Sequence, residues 1–213
     1  MINNLIIFIK YPEPGQVKTR IGNVIGTQKA AELYFSLANH IVRKLLQSDS
    51  YRISVSYTPE NKINNIKSWF GNSDIYYFPQ KGNSLGEKIS EAFEHSFSKG
   101  FKNTIIIGSD CIELNPDIIS RAFNYLSNDS DCVIGPANDG GYYLIGLKSR
   151  NSPIIFENIV WSSDSVFAET IKKINFLNLQ CIILDELNDI DEIDDVDDNV
   201  VELVRNYYPN FEV

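Results

Sequence analysis

The chain has 213 residues, 43% of them hydrophobic and 12% aromatic, with 12 Gly and 8 Pro; this composition suits a single soluble globular domain spanning 1–213 and excludes a disordered, collagen-like or coiled-coil chain. The net charge is −9, yet ten of the twenty-eight carboxylates fall between Asp185 and Glu202, a stretch without Lys or Arg, so the remainder is close to neutral. An acidic total disfavours nucleic acid as a partner, since that affinity comes from clustered basic charge, and no stretch approaches the ~18–20 apolar residues of a membrane span.

Leu5 to Ile9 is a wholly apolar run that predicts a strand buried on both faces, as in the middle of a parallel sheet. From Thr27 to Gln47, Ala30, Leu33, Tyr34, Leu37, Ala38, Ile41, Val42 and Leu45 follow the spacing of an amphipathic helix, with Thr27 as its N-cap. Tyr51 to Tyr57 alternates as a strand, Ile63 to Phe70 reads as a short helix, Asp74 to Phe78 as a strand, and Leu85 to Lys99 as a helix. Thr104 to Ile107 is another apolar strand, ending in Gly108-Ser109-Asp110, and Asn115-Pro116 opens a helix to about Leu126. Asp131 to Gly135 and Tyr142 to Leu147 read as strands around an Asn138-Asp139-Gly140-Gly141 turn, followed by a helix from Ser163 to Phe176, a strand from Cys181 to Leu184 and a helix from Asp195 to Tyr207. The alternation predicts an α/β fold with helices on both faces of the sheet.

In such sheets ligands bind beyond the carboxyl ends of the strands. After the first strand, Lys10, Lys18 and Arg20 lie within a loop stiffened by Pro12, Pro14 and Gly15; cations on a restrained loop suit two phosphates, or else form a solvated surface. The loop is neither a dinucleotide fingerprint nor a P-loop. Asp110 follows the strand from Thr104, and Asp189 and Asp191 follow the last strand. Together these three would hold a hard cation such as Mg²⁺ or Mn²⁺; taken singly, each reads equally as a helix start or a solvated carboxylate. Val200 and Asn206 occupy the positions where a calcium loop needs Gly and Glu, which removes that reading. His40 and His95 lie on separate helices and read as structural. Cys111, Cys132 and Cys181 are far apart and odd in number, and with no basic leader at the N-terminus the expectation is reduced thiols in the cytoplasm. Cys111 beside Asp110 is a poor nucleophile.

Several segments together resemble a known family: Phe8 to Arg20 (FIKYPEPGQVKTR), Leu85-Gly86-Glu87, Gly108-Ser109-Asp110-Cys111, Asp139 to Gly146 (DGGYYLIG) and Trp161-Ser162. They are similar to the radical-SAM/selenodomain-associated transferases, the arsenosugar-biosynthesis glycosyltransferase-like branch of the nucleotide-diphospho-sugar transferase superfamily. The resemblance runs from residue 5 to about 200. It implies a GT-A-like domain with a mixed, mostly parallel sheet, and a nucleotide or nucleotide-sugar donor contacted by Lys10, Lys18, Thr19, Arg20, Gly86 and Lys88. It also implies a metal at Asp110, Asp189 and Asp191, and a small-molecule acceptor beside Gly140, Gly141, Tyr142 and Trp161. Asp139 would then orient or deprotonate an acceptor hydroxyl, and Asp110, Asp139 and Lys18 would carry the chemistry. Three departures from the family pattern occur: Lys88 replaces Arg, Ile112 replaces Pro, and the pair Glu192-Ile193 replaces Thr-Pro. The activity implied is glycosyl transfer. Two alternatives stay open: nucleotidyl transfer from an NTP to a phosphorylated small molecule with release of pyrophosphate, and a non-catalytic GT-A-like module whose acidic C-terminus contacts a partner.

Overall fold

The apolar run Leu5 to Ile9 lies within β1 (Asn3–Lys10), and its neighbours explain why it has no polar face. The computed structural model describes every residue except 1, 2, 72, 129, 150–152 and 162; Ser162, part of a motif quoted above, is therefore outside the described residues. β1 pairs in parallel with β2 (Arg52–Thr58) on one side and β4 (Asn103–Ile107) on the other. Leu5, Ile7 and Ile9 point to one face, where α2 (Thr27–Leu45), α3 (Ile63–Phe70) and α5 (Pro116–Asn128) supply Ile41, Ile66 and Phe123. Ile6 points to the other, where α4 (Leu85–Ser98) and α6 (Val166–Phe176) supply Phe93 and Ile174. With helices on both sides, a polar side chain on either face would be buried without water.

The sheet has seven strands in the order β3-β2-β1-β4-β6-β5-β7, where β3 is Ile75–Pro79, β5 Cys132–Pro136, β6 Tyr142–Lys148 and β7 Cys181–Ile183. Strand β6 runs antiparallel to both its neighbours, and the other pairings are parallel. Its reversed direction matters for function: Ile107 is opposite Leu144, and Pro136 is opposite Tyr142. The turn between β5 and β6 therefore opens at the same edge of the sheet as the loops after β1, β4 and β7. A third apolar cluster joins Ile21 of α1 (Thr19–Ile25), Leu33 and Leu37 of α2, Ile190, and Val200 and Val204 of α7 (Asp198–Arg205). It anchors the two loops that bear the predicted cations and carboxylates. No helix among the described residues is long and apolar enough to cross a membrane.

Several boundaries differ from the sequence reading for local reasons. Thr27 is the first helical residue of α2, not its cap; Gly26 takes the cap position at φ 92 and no side chain caps it. The basic loop ends earlier than expected, because Thr19 and Arg20 already belong to α1. Helix α6 starts at Val166, not Ser163, and the expected last helix, Asp195 to Tyr207, is the shorter α7, preceded by a separate turn at Ile193–Asp195 and capped by Asp197 accepting from the Val200 amide. Asn115 opens α5 as anticipated, its Oδ1 accepting from the amides of Asp117 and Ile118.

Candidate active site

The centre of the site is Lys18. Its backbone is left-handed, φ 43 and ψ 49, a conformation that costs a non-glycine residue roughly 1–2 kcal/mol. The turn sends the side chain inward, where it is only 5% exposed and Nζ lies 2.7 Å from Asp110 Oδ2 and 3.5 Å from Asp191 Oδ1. Burial alone would strip its proton, but Asp110, hydrogen-bonded to it, and then Asp191 and Asp189 outweigh that penalty and raise its pKa. A permanent buried cation thus ties the loop after β1 to those after β4 and β7. Tyr34 of α2 makes a second tie: its hydroxyl accepts from the Lys10 amide at 2.9 Å and lies 3.0 Å from Ser109 Oγ. Lys10 closes its own loop, Nζ donating to the Gln16 carbonyl at 2.6 Å. Arg20 is 64% exposed and bridges Asp191 and Glu192 at 3.0 and 3.2 Å.

The carboxylates are held by their backbones. The Ile190 amide donates to the Asp110 carbonyl, which sets Asp189 and Asp191 beside the end of β4. Asp195 Oδ2 accepts from the amides of Asp191 and Glu192 at 2.9 and 2.7 Å, and Glu192 returns a capping bond to the Asp195 amide. The departure from Thr-Pro at Glu192-Ile193 therefore leaves the aspartate loop well braced. Asp189 is the odd member: burial, then Asp110, Asp139 and Asp191, against the pull of Lys18, push its carboxyl up to about 8, and its Oδ1 has no hydrogen-bond partner. An all-oxygen donor set with an orphaned buried oxygen fits a hard divalent cation. As they stand, no three His, Cys, Asp or Glu among the described residues are gathered around a single ion position, because the Lys18 ammonium sits between Asp110 and Asp191.

Across the cleft, Asp139 Oδ1 accepts from the Gly141 amide at 2.8 Å, an Asx turn that fixes the carboxylate. Gly140 has φ 84, and a Cβ there would lie 2.1 Å from the Asp164 carbonyl oxygen; only Gly lets the segment from Ser163 close over the turn. The Gly140 carbonyl accepts from the Phe167 amide at the start of α6.

These groups line one cleft of about 730 Å³, in the range of small-molecule sites. Lys10, Lys18, Thr19, Arg20, Asp110, Asp139, Gly141, Tyr142, Trp161, Asp189 and Asp191 all reach it. Gly140, expected beside the acceptor, does not line the cleft; it packs against the Asp164 backbone instead. Gly86 and Lys88 are not brought to it: a Cβ on Gly86 would strike the Trp161 indole, so Gly86 seats that ring, and Lys88 lines a second cavity with Tyr76 and His95. Sequence reasoning missed Tyr34, whose helical spacing reads as core, and Asp164, which had no motif around it; both line the cleft. Three cations face five carboxylates there, the fifth being Asp164. Cys111 is pushed up to about 12 by burial and by Asp189, which leaves it inert as a nucleophile. His95 stacks on Phe78 outside the cleft.

A search of curated proteins finds no match to the chain. The solved structure of a "putative nucleotide-diphospho-sugar transferase" from Desulfovibrio desulfuricans G20 is 30% identical, with a TM-score of 0.87 over 97% of this chain and 95% of that one. A cytidylyltransferase from Leptospira borgpetersenii serovar Hardjo-bovis (strain JB197) is 14% identical, with a TM-score of 0.57 over 100% of this chain and 99% of that one. A 4-diphosphocytidyl-2C-methyl-D-erythritol synthase is 11% identical, with a TM-score of 0.61 over 95% and 98%. At those identities the last two share the fold. The family model described as "Uncharacterized protein conserved in bacteria (DUF2064)" matches residues 41–163, which include Asp110 and the Asp139 to Trp161 wall of the cleft. The chain belongs to this bacterial DUF2064 family, and it carries the α/β fold of the nucleotide-diphospho-sugar transferase superfamily of enzymes.

Proposed function

We propose that residues 1–213 act as one transferase domain that binds a nucleotide-activated donor by its diphosphate and moves the donor's glycosyl group to a small hydroxylated acceptor. The observation that carries this reading is the buried Lys18 ammonium 2.7 Å from Asp110, which gathers the loops after three strands into one charged cleft. The name of the 30% identical relative supports the glycosyl form, and the radical-SAM-associated, arsenosugar-type transferases are its finer version.

Lys10, Lys18, Thr19 and Arg20 would meet the phosphates. Lys18 and Arg20 are already committed to carboxylates, so a diphosphate entering among five aspartates needs a further cation. Asp110, Asp189 and Asp191 would hold Mg²⁺ or Mn²⁺, which when bound supplies charge neutralisation for the departing diphosphate. Lys18 would then turn from Asp110 to a phosphate oxygen and stabilise the same developing charge. Asp139 faces the acceptor and would take the hydroxyl proton, with Gly141, Tyr142 and Trp161 forming the acceptor wall around the Gly140 turn.

One observation favours nucleotidyl transfer instead. Asp139 Oδ1 is already engaged by the Gly141 amide at 2.8 Å, and a phosphorylated acceptor attacking an NTP needs no base. Incubation with nucleotide sugars and NTPs plus Mg²⁺ and candidate acceptors separates the two: release of a nucleoside diphosphate supports glycosyl transfer, and release of pyrophosphate moves the second reading to first place. No turnover with any donor would count against both.

A further inference from the structure

Cys132 and Cys181 are distant in sequence, but the fold makes them neighbours. They are direct register partners in the parallel ladder of β5 and β7. Both lie on the face covered by α4 and α6, Cys132 inside the apolar cluster and Cys181 packed against it. The register is pinned on both sides of the pair: the amides of Asp131 and Cys132 donate to the Gln180 carbonyl at 2.7 and 3.2 Å, and the Leu184 amide to the Ile134 carbonyl at 2.8 Å. Adjacent strands lie about 4.8 Å apart, inside the ~4.4–6.8 Å Cα separation that a disulfide spans. Each thiol makes a long contact to a carbonyl, 3.8 Å from Cys132 to Gln180 and 3.7 Å from Cys181 to Ile182, and the two sulfurs are close enough to interact with each other.

We propose that Cys132 and Cys181 are a modification site, a dithiol that closes reversibly to a disulfide and staples the edge strand β7 to β5. Cys132 is 0% exposed and Cys181 is half-buried, so the reaction starts at Cys181. Its thiolate attacks one sulfur of a small disulfide such as oxidised glutathione; the S–S bond of that reagent breaks, and one glutathione leaves and takes up a proton. The Cys132 sulfur then displaces the second glutathione from Cys181, and its proton goes to that leaving thiolate. Two protein thiols are oxidised, and one glutathione disulfide is reduced to two glutathiones. The neighbouring Cys181 sulfur, and then burial, hold the Cys132 thiol well above its usual range, which makes the second step the slow one. Strand β7 leads into the loop that bears Asp189 and Asp191, so the staple fixes the strand that carries those carboxylates.

The full chain, incubated in glutathione buffers of increasing oxidised-to-reduced ratio, quenched in acid, alkylated under denaturing conditions and weighed intact, tests this. The expected product carries one alkyl group, on Cys111, together with a Cys132–Cys181 cross-linked peptide after digestion, and dithiothreitol restores all three labels. Cys132→Ala should stop as a glutathione adduct at Cys181, and Cys181→Ser should keep both remaining thiols. Three labels on the wild type at the most oxidising ratio, arrest of the wild type at the Cys181 adduct, or an intermolecular dimer would each overturn the proposal.

Discussion

Replacing Lys18 perturbs both the fold and the site, and the two effects can be separated. Nζ is 2.7 Å from Asp110 and 3.5 Å from Asp191, and the lysine side chain is 5% exposed against 28% and 40% for the two carboxylates. Losing a charge-assisted bond costs about 1.5–3 kcal/mol. Water reaches Asp110 and Asp191 once the ammonium is gone, so the loss stays below the ~3–5 kcal/mol of a fully buried pair. The left-handed backbone acts in the opposite sense for one substitution: glycine relieves a strain of roughly 1–2 kcal/mol, partly offset by its greater freedom in the unfolded chain. Lys18→Ala should therefore unfold at lower urea with a stability loss of about 2 kcal/mol, and Lys18→Gly should be the more stable of the two. Calorimetric titration with pyrophosphate then reads the site, where a lost phosphate contact weakens binding about tenfold or more. Lys18→Ala with wild-type urea stability and wild-type pyrophosphate affinity would refute the reasoning.

Three further substitutions test other parts of the cleft. Gly140→Ala places a Cβ 2.1 Å from the Asp164 carbonyl at φ 84 and should cost more than about 2 kcal/mol, seen as a lowered Tm; an unchanged Tm would show that the turn relaxes freely. Asp189, raised from 3.8 to about 8, keeps a proton in the folded state that the unfolded chain has released between those values. Its contribution to stability therefore falls as pH rises through that window, and Asp189→Asn should flatten this part of a Tm-against-pH profile; parallel profiles would contradict the shift. Asp139→Asn should lower glycosyl turnover about 10²–10⁴-fold with little change in donor affinity, whereas near-normal turnover with pyrophosphate released would mark the nucleotidyl reaction.

Much of the sheet was legible because its strands are buried on both faces: the runs around Leu5 and Thr104 have no polar position to blur their period, and each was found within two residues at either end. Helix α1 was not, since its seven residues follow a loop whose charges and prolines dominate the local pattern. The carboxylates after β4 and β7 could be named from the rule that strand ends carry the site. That Lys18 would be buried between them could not, because its inward turn depends on a left-handed residue with no glycine to signal it. Gly86 and Lys88 were placed by motif alone; a side-chain direction on a helix is set by packing, here by the Trp161 ring against Gly86. The pairing of Cys132 with Cys181 required the strand order, which no local period encodes.

The central claim, that this cleft takes a nucleotide diphosphate together with a divalent cation at Asp110, is tested most directly by equilibrium titration of a panel of nucleoside diphosphates, with and without Mg²⁺, into the wild type and Asp110→Asn. At least one nucleotide should bind the wild type tightly only when Mg²⁺ is present, and Asp110→Asn should lose about tenfold or more of that affinity while showing no gain from Mg²⁺. Binding of every nucleotide that is indifferent both to Mg²⁺ and to the loss of the Asp110 carboxylate would contradict it.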